Sequence, residues 1–401
     1  MFQTLDDKGE CVGIYKDGDL YFKQQPSNLD KTWNYVPYLK GKDIEYASIY
    51  AQGSELDVCC PESIKSDWQF ANNKLRSFLN SFIVAKVDLK ENCFYDLVPE
   101  RFLKEYCELK NRISEHVFNN TERPQEYVFF KEFSELISDV AGRQLQIDRH
   151  RLQELLYLPQ AKRLFEKVDA GQKNVKYNMF SSVTGRLTVS DRSFPILTLS
   201  SKLREVIKPT NDWFVALDLN AAEMRIALAL AGESQPAGDL HEHIKNTVFG
   251  EDYTRTQAKS ISTQWLYDAR NSETLKHDRK LSDFYNKEKL FGDYWSAGIV
   301  TTPYNRLIES DAHHVISYLC QSTLIDLFHR QILKIAKMLE NKNTFIAFMV
   351  HDSLVIDLKE SEKNLLPDII RELSSTPYGD FPVKVEIGPD YGNMKKMKIK
   401  V

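Results

Sequence analysis

Long apolar runs are missing from this 401-residue sequence. Its most hydrophobic extended stretch, FVALDLNAAEMRIALALAG, is interrupted by Asp218, Glu223 and Arg225 and is therefore no membrane span. Paired CxxC motifs are missing too. Six cysteines, at 11, 59, 60, 93, 107 and 320, include one adjacent pair but indicate neither a disulfide framework nor a zinc site. That usage suits a reducing compartment. A large charge of either sign is absent, since 53 Lys+Arg against 57 Asp+Glu leave a formal charge of −4. A uniformly basic, histone-like binder is excluded, whereas a basic groove balanced by acidic surface elsewhere is allowed. The opening MFQTLDDKGE lacks the basic and apolar regions of a signal peptide, so the expected location is the cytoplasm. No fixed-period repeat or low-complexity tract stands out. What is present, 42% hydrophobic and 27% charged residues, is a globular composition long enough for two to three domains or one multi-lobed enzyme.

The first 130 residues mix strand-like runs (CVGIYKDGDLYF, FIVAKVDL) with the helix-like VPERFLKEYCELKNRISEHVF. The polar, turn-rich FNNTERPQEY reads as a domain boundary. After it, Phe133, Leu136, Ile137 and Val140, then Leu152, Leu155 and Leu156, recur at helical spacing. WFVALDL reads as a strand running into the helix former AAEMRIALALAG. A polar helical stretch over about 240–300 precedes a helix through VISYLCQSTLIDLFHRQILKIAKML, and FIAFMV–HD–SLVIDL reads as a β-hairpin. Strands and helices mix without βαβ alternation, which predicts an α+β fold.

Two apolar strands end at, or turn on, an aspartate: Asp218 in VALDLN and Asp352 in FMVHDSL. A carboxylate inside a hydrophobic strand is costly unless paired or metal-bound. Two on neighbouring strands can share a pair of divalent cations about 4 Å apart, and Mg²⁺ suits few carboxylates plus water and phosphates. Each aspartate alone reads equally as a turn acceptor. In YTRTQAKSISTQWLYD, Arg255, Lys259, Thr263 and Tyr267 recur every four residues on one helix face. That face reads either as solvated or as a platform for a triphosphate and a base.

Together these segments resemble the polymerase domain of family A, DNA polymerase I-like enzymes, and most closely compact phage-encoded versions. DLNAAEMR is similar to the family's motif A, with Asp218, Glu223 and Arg225 in its spacing; Arg255, Lys259 and Tyr267 match motif B; His351 and Asp352 match motif C. Thr184-Gly185-Arg186, Gln321 and the DLH ending at His241 match further family positions, and the resemblance covers about 134–401. It implies a right-hand fold: an antiparallel palm, helical fingers and a reduced thumb, beside an N-terminal α+β lobe. The implied boundaries are 1–130 for the N-terminal lobe, 131–176 for the thumb, 177–240 for palm, 241–310 for fingers and 311–401 for palm again. The implied chemistry is addition of dNMP from dNTP to a primer 3′-OH, in phage DNA replication. Asp218, Asp352 and the Leu219 carbonyl would hold two Mg²⁺ ions, for which Mn²⁺ can substitute. Lys259 would also be catalytic, with His241, Arg255 and Lys259 on the phosphates and Glu223, Thr263 and Tyr267 around the nucleotide. Arg186, Gln321 and His351 would contact primer–template DNA without reading its sequence.

The departures are specific. Ser353 replaces the motif C glutamate, as in single-subunit RNA polymerases. Thr263 stands where Phe or Tyr is usual, Asp268 where Gly is usual, and His313 and Ser317 where Arg and Asn are usual. The competing readings are a single-subunit RNA polymerase or primase-like enzyme, against which Glu223 argues, and a degenerate, non-catalytic nucleic-acid binder. Asp43-Ile44-Glu45 mimics a proofreading Asp-x-Glu but lacks the apolar strand before it, so the N-terminal lobe is expected to bind DNA or a partner. The short thumb implies low processivity or an accessory processivity factor. Arg204 and the C-terminal lysines at 395, 396, 398 and 400 read equally as phosphate contacts or as solvated side chains.

Overall fold

The computed structural model describes residues 1–5, 13–22, 26–87, 92–236 and 238–397. It divides into two compact units, Met1–Gly142 and Arg143–Val401. The expected seam at FNNTERPQEY instead joins two helices of the first unit. There Tyr127 Oη accepts from the Tyr46 amide at 2.8 Å and its ring packs edge-on against Tyr50. Phe129 and Phe133 stack within the same aromatic layer. Burial of these rings places the helix over 131–142 in the first unit, twelve residues beyond the expected boundary.

The first unit begins with an antiparallel sheet in the order β1 (Phe2–Thr4), β2 (Gly13–Lys16), β3 (Asp19–Phe22). Helices α1 (Lys65–Val84), α2 (Glu100–Asn120) and α3 (Tyr127–Gly142) follow. On α2, Phe102, Leu103, Cys107, Ile113 and Val117 are buried at the three-to-four-residue spacing of one helix face. Phe102 and Leu103 form a core with Val98 and Ala71, against which Phe78 and Phe82 of α1 pack. Phe82, Ile83 and Val84, expected in a strand, are instead the last turn of α1, where Phe82 packs on the core while Ile83 and Val84 stay exposed. Against the expectation from cysteine usage, Cys93 is disulfide-bonded, while Cys59, Cys60, Cys107 and Cys320 are free. Cys11, Lys398 and Lys400 lie outside the described residues.

The second unit is built on a five-stranded antiparallel sheet. Its strands are β4 (Trp213–Leu219), β5 (Phe345–Val350), β6 (Ser353–Leu358), β7 (Val383–Gly388) and β8 (Lys395–Met397), ordered β5-β6-β4-β7-β8. The apolar strands β4, β5 and β6 are buried almost throughout, including β5 at the sheet's edge. Lys395 and Lys396 belong to the edge strand β8, where Lys396 pairs with Glu386. Helix α4 (Ala222–Ala231) leaves β4 directly, and α5 (Arg255–Leu266) and α6 (Ser272–Phe284) form part of the polar middle. Helix α7 (Val315–Met338) is buried on nearly every side, which explains its lack of a polar face.

Candidate active site

β4 occupies the middle of the sheet, so its C-terminal end faces both neighbours. Asp218 pairs in register with Ser353 on β6 and with Lys384 on β7. The β5–β6 hairpin turns through His351 and Asp352, with His351 exposed in the left-handed region at φ 56°. Such a conformation is uncommon outside glycine, though His, Asn and Asp adopt it more readily than most. The turn thus brings Asp352 next to the register partner of Asp218. Burial, followed by the charge of Asp352, pushes the Asp218 carboxyl up to about 6, against the opposing pull of Lys384 and Lys259. Among the described residues no third His, Cys, Asp or Glu joins the pair in a metal-binding cluster. Two hard carboxylates side by side, one of them partly buried and destabilised by the other's charge, are a donor set that a divalent cation would relieve.

A second constellation assembles beside it from four separate segments. The chain leaves Asp218-Leu219 through Asn220 and Ala221, the latter left-handed at φ 51°, and enters α4 with Glu223 in its first turn. Glu223 accepts from Arg186 Nη2 at 2.9 Å and from Tyr267 Oη at 2.6 Å. Gln321, on α7, lies 3.2 Å from Tyr267 Oη and 2.5 Å from Thr184 Oγ1. With its amide oxygen turned toward Arg186, Gln321 accepts from both guanidinium ends at 2.9 and 3.1 Å and donates to Thr184. Thr184, Arg186, Glu223, Tyr267 and Gln321 are one hydrogen-bonded network.

The turn that presents Arg186 has no room for a side chain at Gly185. That residue is left-handed at φ 80°, and a Cβ there would meet Arg306 Nη2 at 2.7 Å. Arg306 is in turn forked onto the buried Asp326 of α7, at 2.7 and 3.2 Å. Neither Arg306 nor Asp326 carried a sequence signal, because their pairing joins segments without a shared motif.

The phosphate-facing candidates divide. Lys259 is exposed on α5, and its ammonium makes no hydrogen bond or ion pair among the described residues. Arg255 grips Asp239, with contacts of 2.5 to 3.1 Å, and Asp239 also caps the helix Leu240–Ile244. His241 is buried, at 4% exposure, with Nδ1 unpartnered. Burial and the nearby Lys259 and Arg255 hold its ring well below the ordinary histidine range, at about 4. It is a neutral imidazole at pH 7. Thr263 is half-buried on the same helix, one turn before Tyr267.

Two further arginines, the motif residue Arg225 and Arg204, take structural positions. Arg225 is buried and donates to the main-chain carbonyls of Asn220, Pro236 and Gly238, tying the loop before Asp239 to the start of α4. Arg204 sits over the Tyr391 ring, 5.0 Å from its centroid. The departures at Asp268 and His313 meet: Asp268 is left-handed at φ 52°, where glycine is at ease, and contacts His313 at 2.7 Å and Arg270 at 3.2 Å. In the first unit, Asp43 faces Lys131 while Glu45 faces Lys31, Arg123 and Tyr50, so the two carboxylates point to different partners.

No family profile matches the chain. Its curated sequence relatives include thermostable DNA polymerase I of Thermus filiformis, 22% identical over 265 residues, and that of Thermus aquaticus, 23% identical over 265 residues. Each match covers 54% of this chain and 32% of the relative, so the similarity spans about a third of the relatives' length. Among solved structures, the POL domain of Pol1 from M. smegmatis, complexed with DNA primer-template and dNTP, superposes with a TM-score of 0.59 at 12% identity. It covers 73% of this chain and 76% of that one. The fold is therefore that of a polymerase domain. In sequence the chain is similar to DNA polymerase I enzymes, at low identity and over about half of its own length.

Proposed function

We propose that this chain is a template-directed DNA polymerase that extends a primer 3′-OH with dNTPs. The carrying observation is the juxtaposition of Asp218 and Asp352 at the end of β4, with the exposed ammonium of Lys259 near enough for its charge to act on Asp218. Asp218 and Asp352, with the Leu219 carbonyl beside them, would hold divalent cations, Mg²⁺ or Mn²⁺. When bound, the ions supply activation of the 3′-OH and neutralisation of the triphosphate. Lys259 provides a mobile positive charge for the phosphates and a proton for the departing pyrophosphate. Arg255 reaches phosphate by exchanging its Asp239 partner, and neutral His241 supports that region as a hydrogen-bonding ring. Glu223, held by Arg186 and Tyr267, stands over the nucleotide sugar, and Thr263 lines the same helix face. Arg186, Gln321 and His351 position the duplex.

In this reading the palm comprises 177–240 and 311–401, the fingers 241–310, and the residues left for a reduced thumb are 143–176. A small grip on duplex fits an accessory processivity factor, and the compact plan fits a phage replication enzyme working in the host cytoplasm. Among the described residues no helix is long and apolar enough to cross a membrane. The experiment is primer extension with dNTPs or rNTPs, with and without Mg²⁺. Mg²⁺-dependent addition of dNTPs supports the proposal, and extension that uses rNTPs freely favours an RNA polymerase, the reading to which Ser353 points.

A further inference from the structure

The hairpin that carries Arg186 is tied at its base to the strand that carries Asp352. Strand Tyr177–Asn178 pairs with Thr188–Val189, and the loop between them contains Thr184, Gly185 and Arg186. From the base of this hairpin, Tyr177 Oη accepts from the Met349 amide at 2.8 Å and donates to the Met349 carbonyl at 2.5 Å. One hydroxyl satisfies both main-chain groups of a residue 172 positions away.

Met349 lies on β5, an edge strand of the five-stranded sheet, three residues before Asp352. An edge strand has main-chain groups without a ladder partner on its open side. β5 is also irregular, with a register shift between Ile346 and Phe348 just before Met349. A bulge interrupts the ladder and bends the strand, so the course of the next residues depends on whatever fixes it from outside. Burial drives the Tyr177 phenol upward from its ordinary range, which keeps it protonated and able to donate and accept together.

We infer that Tyr177 is a positioning residue. Its hydroxyl sets the spacing between the duplex-contacting turn at Arg186 and the acidic turn at Asp352, so that the primer terminus and the metal-binding carboxylate stay in register. This rests on the polymerase reading above. Tyr177 touches no reacting group and acts through Met349. Main-chain hydrogen bonds left unmade in a buried setting raise the frequency of local opening, and a small displacement of a carboxylate is enough to slow a positioned phosphoryl transfer.

The test is Tyr177→Phe in the full chain, which keeps the ring and removes only the hydroxyl. Hydrogen exchange should accelerate about tenfold or more at Met349 and through 350–352, with β4 unchanged. In single-turnover extension the maximal rate should fall about tenfold, with the primer–template dissociation constant held within about threefold. Unchanged exchange at Met349 would overturn the inference. So would a uniform rise across the whole sheet, which would assign the hydroxyl a general structural role, or a local rise with an unaltered rate. If wild type itself fails to extend primers, the polymerase reading has failed, and the exchange measurement alone decides the Tyr177 coupling.

Discussion

Tyr267 Oη lies 2.6 Å from Glu223 Oε2, joining the C-terminal end of α5 to the first turn of α4 across 44 residues of sequence. Arg186 closes the other side of the same carboxylate at 2.9 Å. Glu223 is thus held by a phenol and a guanidinium, with its stem fixed where the strand-to-helix turn after Asp218 delivers it. In the polymerase reading this wall crowds a 2′-hydroxyl.

Glu223→Ala should therefore raise incorporation of rNTP relative to dNTP by one to three orders of magnitude. Steric rejection in a packed site is worth several kcal/mol, and about 1.4 kcal/mol is tenfold. Overall activity should drop as well, since Tyr267 and Arg186 lose a shared acceptor. Competing single-incorporation assays measure the ratio of specificity constants. A ratio that does not move removes Glu223 from sugar selection.

Lys259→Ala should weaken nucleotide use far more than duplex binding. Its ammonium is exposed, as is Arg255, but Arg255 is already committed to Asp239. The maximal single-turnover rate should fall about 10²-fold or more if the side chain donates a proton, with little change in the duplex dissociation constant. An unchanged rate with weaker DNA binding would make Lys259 a backbone contact instead.

The legible part of this protein was local. WFVALDL, AAEMRIALALAG and FIAFMV–HD–SLVIDL formed the strand, helix and hairpin that their patterns predict, and the motif residues Arg186, Glu223, Tyr267 and Gln321 met in one network. Long-range partnerships were not legible. The rule that a carboxylate in an apolar strand demands explanation applies equally to Asp357 on β6, yet Asp357 is buried to accept from the Thr210 and Asn211 amides at 2.6 and 2.8 Å. Nothing in SLVIDL distinguishes that structural role from those of Asp218 and Asp352. The destinations of Arg225 and Arg306 were hidden for the same reason: their acceptors lie in loops or helices that only the fold brings near.

Acid should destabilise the protein through two buried imidazoles. Burial lowers His241 to about 4 and His329 to about 3. Their folded values lie below the ordinary 6.5, so the unfolded chain binds protons more readily as pH falls through that value. The stability they contribute is complete above about pH 6.5 and is lost progressively between pH 6.5 and 4. At pH 5 the loss amounts to at most about 2 kcal/mol for each ring. Thermal unfolding from pH 7.5 to 4.5 should show a falling Tm, and His329→Gln should flatten the fall. An identical slope in that variant would remove His329 from the acid response.

The proposed function turns on the assignment of Asp218 and Asp352 to metal rather than to nucleic acid. Its most direct measurement is primer extension by Asp218→Asn and Asp352→Asn in Mg²⁺, run alongside a fluorescence anisotropy titration with the same primer–template. Extension should fall by more than about 10³-fold in both variants, with duplex affinity within about threefold of wild type, because losing a metal ligand raises the barrier and leaves the duplex contacts in place. Extension within tenfold of wild type in both variants, or duplex affinity that collapses with activity, would contradict it.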